Sequence, residues 1–179
     1  ILIRGVIVLS RMSFADQKKI CIEVARVIEA GGGRFAMDAT GIGMQLGEEL
    51  SEEFPCVEPV NFATSVDSGL KDKEGKPINV GVKERMAGIL KRRVEERMIC
   101  LPESVQLRRE FQAIKRYVGP TGAVRLDAER SDKSGHADWF WAAALLCAAA
   151  EGPGRVYVPL SSVGMVGRPV MPSLMGKVF

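Results

Sequence analysis

The chain has 179 residues and a mass of 19.5 kDa, a length that suits one domain able to bury a core without disulfides or a structural metal. Hydrophobic residues make up 46% and charged residues 26%, which excludes a disordered or fibrous chain, and a net charge of +3 is too small to argue for a polyanionic partner by itself. The longest uncharged apolar run, Trp139 to Ala150, falls well short of the roughly 20 residues needed to cross a bilayer.

The opening Ile1-Leu2-Ile3-Arg4-Gly5-Val6 has no methionine, basic leader or cleavage site, so it reads as a piece of a longer protein and not as a signal peptide. The β-branched run Val6 to Leu9 predicts a buried strand, with Ile1-Leu2-Ile3 either part of it or a paired strand. Ser13 caps a predicted helix that places Ile20, Val24, Val27 and Ile28 on one face and ends at Gly31-Gly32-Gly33. Arg34 to Asp38 predicts a central strand, and Gly41-Ile42-Gly43 opens a helix carrying Met44, Leu46 and Leu50. Val57 to Phe62 reads as a further strand, and Asp67 to Pro77, rich in Lys, Asp and Gly, as a surface loop.

A basic helix is expected from about Val80, followed by the apolar segment Met98 to Leu101 and a helix around Ser104 to Ala113. Ile114 to Val118 and Ala123 to Leu126 flank Gly119-Pro120-Thr121-Gly122, which is hairpin chemistry. The last helix, His136 to Ala150, is apolar all round and should lie buried against a sheet. Residues 152–179 hold four prolines and no helical period, and read as an extended tail after a domain of residues 1–151. Strands alternating with helices, plus a hairpin, predict an α/β fold: a mixed sheet with helices on both faces.

Cys21, Cys56, Cys100 and Cys147 form no CxxC pair, and His136 is the single histidine, so metal chemistry would have to use oxygen ligands. Asp38 ends a predicted strand, where ligand sites of open α/β sheets collect; the alternative is that Asp38 or Thr40 caps the next helix. Asp138 stands in the first turn of the apolar helix, where either the helix dipole or a metal would account for a carboxylate. His136 is a ligand, an acid–base group or a structural residue. Asp127, Glu129 and Asp132 read as solvated loop residues, and Glu48, Glu49, Glu52 and Glu53 as a charged helix face. If Asp38 and Asp138 converge, they would hold magnesium or manganese through oxygen, as phosphodiester hydrolysis by two metal ions requires. Charge is uneven: residues 71–116 hold 13 Lys/Arg against 7 Asp/Glu, so Lys83, Arg85, Lys115 and Arg116 either contact a phosphate backbone or form a solvated, ion-paired surface.

Met37-Asp38-Ala39-Thr40-Gly41-Ile42-Gly43, Lys83 to Met86 opening a basic helix, Met98-Ile99-Cys100-Leu101-Pro102, and His136-Ala137-Asp138 before an Ala-rich helix occur in an order that resembles the C-terminal nuclease domain of the large terminase subunit of tailed bacteriophages, the Mu-like prophage type among the candidates. The likeness extends over roughly residues 1–150. It implies an RNase H-like fold and cleavage of concatemeric double-stranded DNA by two Mg2+ or Mn2+ ions. Asp38 would be the middle acidic ligand and Asp138 the last, with Thr40 and His136 beside them. The family's first aspartate has no match here, so its strand is expected upstream or removed, which would weaken metal binding. By the same resemblance the partners are the terminase ATPase domain, the small terminase subunit and the portal, in the cytoplasm of a bacterial host; no GxxxxGK[ST] loop occurs in the chain. The alternatives are an RNase H-like junction resolvase, recombinase or hybrid nuclease, and a non-catalytic DNA-binding or docking module.

Overall fold

The computed structural model describes residues 1–120, 124–128 and 137–151. Helix α1 (Phe14–Ala30) starts where the Ser13 hydroxyl oxygen accepts from the Asp16 amide at 3.2 Å, and stops at Gly31. Strand β1 (Phe35–Asp38), helix α2 (Gly43–Glu53) and strand β2 (Val57–Val60) then form a strand–helix–strand unit, with the strands parallel and Asp38 opposite Val60.

Side chains alternate across β1 and so divide the interior in two. Phe35 and Met37 pack with Ala25, Leu46, Leu50, Phe54 and Val57, a cluster made with α1 and α2. Ala36 and Val60 face a second cluster, built mainly from α3 (Val82–Glu95) and α5 (Asp138–Ala149). Helices therefore cover both sides of the β1–β2 pair, the layered α/β arrangement that the sequence pattern indicates. Helix α5 is apolar on every side because α3, β1 and α4 (Val105–Ala113) all pack on it. Two antiparallel hairpins complete the described structure: β3 (Ser65–Lys71) with β4 (Pro77–Gly81), and β5 (Ile114–Val118) with β6 (Val124–Ala128). Among the described residues the strands thus form three two-stranded sheets.

Several expectations are corrected. Val6 to Leu9 is no strand: Val6, Ile7 and Val8 are exposed, and ordered pairing stops at Ile3, whose amide donates to the Cys100 carbonyl at 3.1 Å. The segment that pairs is Ile1–Ile3, in a single parallel bridge from Leu2 to Cys100. β-branched residues favour a strand only where a neighbouring ladder accepts them, and none of the described strands lies beside Val6 to Leu9. Residues 67–77 belong largely to the β3–β4 hairpin and only their centre is a turn. There the Asp72 carboxylate accepts from the Glu74 and Lys76 amides, and Gly75 takes φ +81°. Val27 is exposed, because α1 meets its neighbours along a narrow line centred on Ala25. The basic helix begins at Val82, two residues later than expected, because β4 continues to Gly81. His136, Glu129, Asp132 and the predicted tail 152–179 lie outside the described residues.

Candidate functional site

Asp38 closes β1 on the same alternation side as Ala36, the side that α5 covers. Its Oδ1 accepts from the Thr40 amide at 2.9 Å, so the carboxylate folds over its own turn. It does not cap α2, which follows Ile42 with no side-chain cap at all. The Thr40 hydroxyl oxygen accepts from the Phe62 amide at 2.9 Å and ties this turn to the residues just after β2. Gly43 is required there, since a Cβ would lie 2.4 Å from the Asp38 carbonyl oxygen. Gly43 is thus explained by close backbone approach, and Gly41 by its left-handed φ of +61°. Asp38 itself is exposed, and its second carboxylate oxygen has no hydrogen-bond partner among the described residues.

The direction of α5 follows from two contacts, one at each end of the helix. Arg34, just before β1, donates from Nη1 to the Ala149 carbonyl at 3.2 Å, which joins the start of the strand to the end of the helix. From that tie the strand advances about 13 Å to Asp38 and the helix runs about 16 Å back to Asp138. Both acids therefore lie at the same end of the β1–α5 pair. The aromatic packing agrees: Trp141, one turn after Asp138, stacks with its ring centroid 5.6 Å from that of Phe62, the residue bonded to Thr40.

Sequence reasoning missed the group that shapes the start of α5. The helix has no side-chain N-cap of its own and follows Ala137 in a left-handed conformation at φ 56°. Glu110 of α4, only 4% exposed, supplies the cap from outside: its Oε2 accepts from the Trp139 amide at 2.7 Å and the Phe140 amide at 3.4 Å, while Oε1 accepts from Gln106 Nε2 at 2.7 Å. With those amides taken, the exposed Asp138 carboxylate bonds to no described residue. Nothing in the spacing around Glu110 signals this, because the partner is twenty-nine positions away in another helix.

Asp38 and Asp138 offer hard, exposed oxygen donors, the chemistry magnesium and manganese prefer, so the two residues fit part of a divalent-ion shell. Among the described residues no group of three or more His, Cys, Asp or Glu converges, and Glu110 is committed to α5. Glu48, Glu52 and Glu53 are exposed on α2, and Glu49 pairs with Lys18 of α1. That bond from Lys18, with help from Gln45, lowers the Glu49 pKa below the ordinary glutamate range.

The basic candidates differ in their surroundings. Lys83 is half-buried, its Nζ 4.6 Å from the Trp141 ring centroid and 5.5 Å from that of Phe62. Arg85 is exposed and donates to the Asp67 carbonyl of β3 at 3.3 Å. Arg116 is exposed and sits 3.6 Å from Glu84 Oε1; Lys115 is exposed on β5. A cleft of about 340 Å³ opens beside Lys83, lined also by Phe62, Ser65, Glu84 and Arg125.

A family model described as a terminase RNaseH-like domain matches residues 3–149, a span that takes in every helix and strand described above. No curated protein and no solved structure gives a match.

Proposed function

The chain belongs to the family of terminase RNaseH-like domains, a nuclease-type class that works on DNA during packaging, and on that premise we propose that it is a divalent-metal-dependent endonuclease for concatemeric double-stranded viral DNA, with Asp38 and Asp138 as metal ligands. The observation that carries this reading is the antiparallel pairing of β1 with α5, which brings the two acids to one end with carboxylate oxygens to spare. In a two-metal scheme, bound Mg2+ or Mn2+ would supply the Lewis acidity for phosphodiester hydrolysis.

The chain's own residues do the rest of the work. The Thr40 amide bonds one oxygen of Asp38 and leaves the other for the ion. Glu110 caps α5 in place of Asp138, which leaves that carboxylate outward. Lys83, Arg85, Lys115 and Arg116 are the backbone contacts of this reading, and Thr40 and His136 its supporting neighbours. Contacts of this kind bind phosphates and give affinity without base specificity. The unit proposed to act is residues 1–151, in the bacterial cytoplasm, beside the ATPase domain, small subunit and portal of a packaging motor.

The test is cleavage of linear duplex DNA in Mg2+ or Mn2+ by the full-length protein, with four-way junctions and RNA–DNA hybrids as competing substrates. Asp38→Ala and Asp138→Ala are each expected to lower duplex cleavage by at least about 100-fold, the scale of losing a group that stabilises transition-state charge. Unchanged cleavage in both variants overturns the assignment, and preference for junction or hybrid moves the chain to another branch of RNase H-like enzymes.

A further inference from the structure

Lys83 departs from the other described basic residues in being half-buried and yet without a carboxylate partner. Lys18, Lys19, Lys76 and Lys91 each pair with a carboxylate, as do Arg26, Arg34, Arg92 and Arg116. Lys83 has no hydrogen bond or ion pair among the described residues, although it is half-buried and confined on two aromatic faces. A cation withdrawn partly from water and given only ring faces is stabilised less than one with a counter-anion, and it favours any anion that reaches it.

The rings that hold Lys83 also locate it. Trp141 is one turn along α5 from Asp138, and Phe62 donates its amide to Thr40, whose own amide holds Asp38. One intervening residue thus links the ammonium to each of the two acid-bearing turns. The ammonium borders the cleft of about 340 Å³ in which Ser65 and Arg125 also stand. Arg85 and Arg116 lean instead on the β3 backbone and on Glu84.

We propose that Lys83, held over Trp141 and Phe62, is a catalytic residue that contacts a non-bridging oxygen of the phosphodiester being cut, and so differs in role from the more exposed basic residues. This rests on the nuclease reading above. As negative charge grows on those oxygens during hydrolysis, an ammonium already in place stabilises the transition state more than the ground state. Its removal therefore acts on the rate of cleavage more than on DNA affinity.

The experiment is single-turnover cleavage of linear duplex by the full-length protein at saturating DNA and Mn2+, with duplex affinity measured separately in Ca2+. Lys83→Met keeps an unbranched side chain over the rings and removes the charge. It is expected to slow cleavage on the order of 100-fold while DNA affinity changes less than about threefold. Lys83→Arg, which keeps the charge and stacks on aromatic faces, restores part of the rate. Lys91→Met removes the same charge two turns along α3, from a lysine paired with Glu95, and leaves the rate unchanged. A wild-type rate in Lys83→Met, a loss wholly in DNA affinity, or an equal loss in Lys91→Met overturns the proposal. Inactive Asp38→Asn and Asp138→Asn beside a fully active Lys83→Met would sink the Lys83 role alone, whereas full activity in both aspartate variants would sink the nuclease reading beneath it.

Discussion

At Glu110 a nearly buried carboxylate serves amides that belong to a different helix. Replacing it by alanine leaves the Trp139 and Phe140 amides without their acceptor in a place largely withdrawn from water. Glu110→Ala is therefore expected to cost about 1–3 kcal/mol, read as a lower urea midpoint at unchanged slope, together with faster amide exchange at 139 and 140. Glu110→Gln keeps an acceptor and should cost less. An equal loss in both variants would show that the charge, and not the acceptor geometry, holds the turn. In sequence Glu110 sits among Gln106, Arg108 and Arg109 and has the look of a solvated helix residue. The positions of Asp38 at a strand end and Asp138 at a helix start were legible because element ends leave marks in the pattern. Glu110 was not, because its role depends on which helix lies next to it.

Elements show the same division in their glycines. Gly43 begins α2 hard against the Asp38 carbonyl, whereas nothing lies within 4 Å of where a Cβ on Gly88 would stand, in the middle of α3. Gly88→Ala should stabilise the chain by roughly 0.5–1 kcal/mol through helix propensity. Gly43→Ala should destabilise it and, on the proposed nuclease reading, lower cleavage with it, because the collision is with backbone at the Asp38 turn. Thermal melts of the two variants, moving in opposite directions, check this. The hairpin β5–β6 was readable from its Gly-Pro-Thr-Gly connection, but β3–β4 was not. Asp, Lys and Gly dominate residues 67–77 because that hairpin is largely exposed, with Val66 its main anchor in the core, and a polar strand lacks the alternation that announces one.

For the molecule as a whole, the two clusters lie on either side of the β1–β2 pair, and ion pairs tie the elements of this scaffold to one another. Lys18–Glu49 links α1 to α2, and Arg34–Glu58 links the start of β1 to β2. Since Glu49 has a lowered pKa in the folded state, its contribution to stability is present above the ordinary glutamate value and is lost as pH falls through the folded value. Urea midpoints across that acidic range should fall more steeply for the wild type than for Glu49→Gln. Parallel profiles would show that the Lys18 bond adds nothing to folding. Asp16, lowered by the Ser13 hydroxyl and by Lys19, should act in the same direction at the start of α1.

The order of strands and helices, the apolar α5, the acids at element ends and the family resemblance were all present in the linear chain, because each depends on neighbours within a few positions. Which acids share an end, which carboxylate caps α5 and which half-buried lysine stands without a counter-ion were decided only on folding. Those properties belong to pairs of residues brought together from about 20 to more than 100 positions apart, and local periodicity carries no information about which distant surfaces will meet.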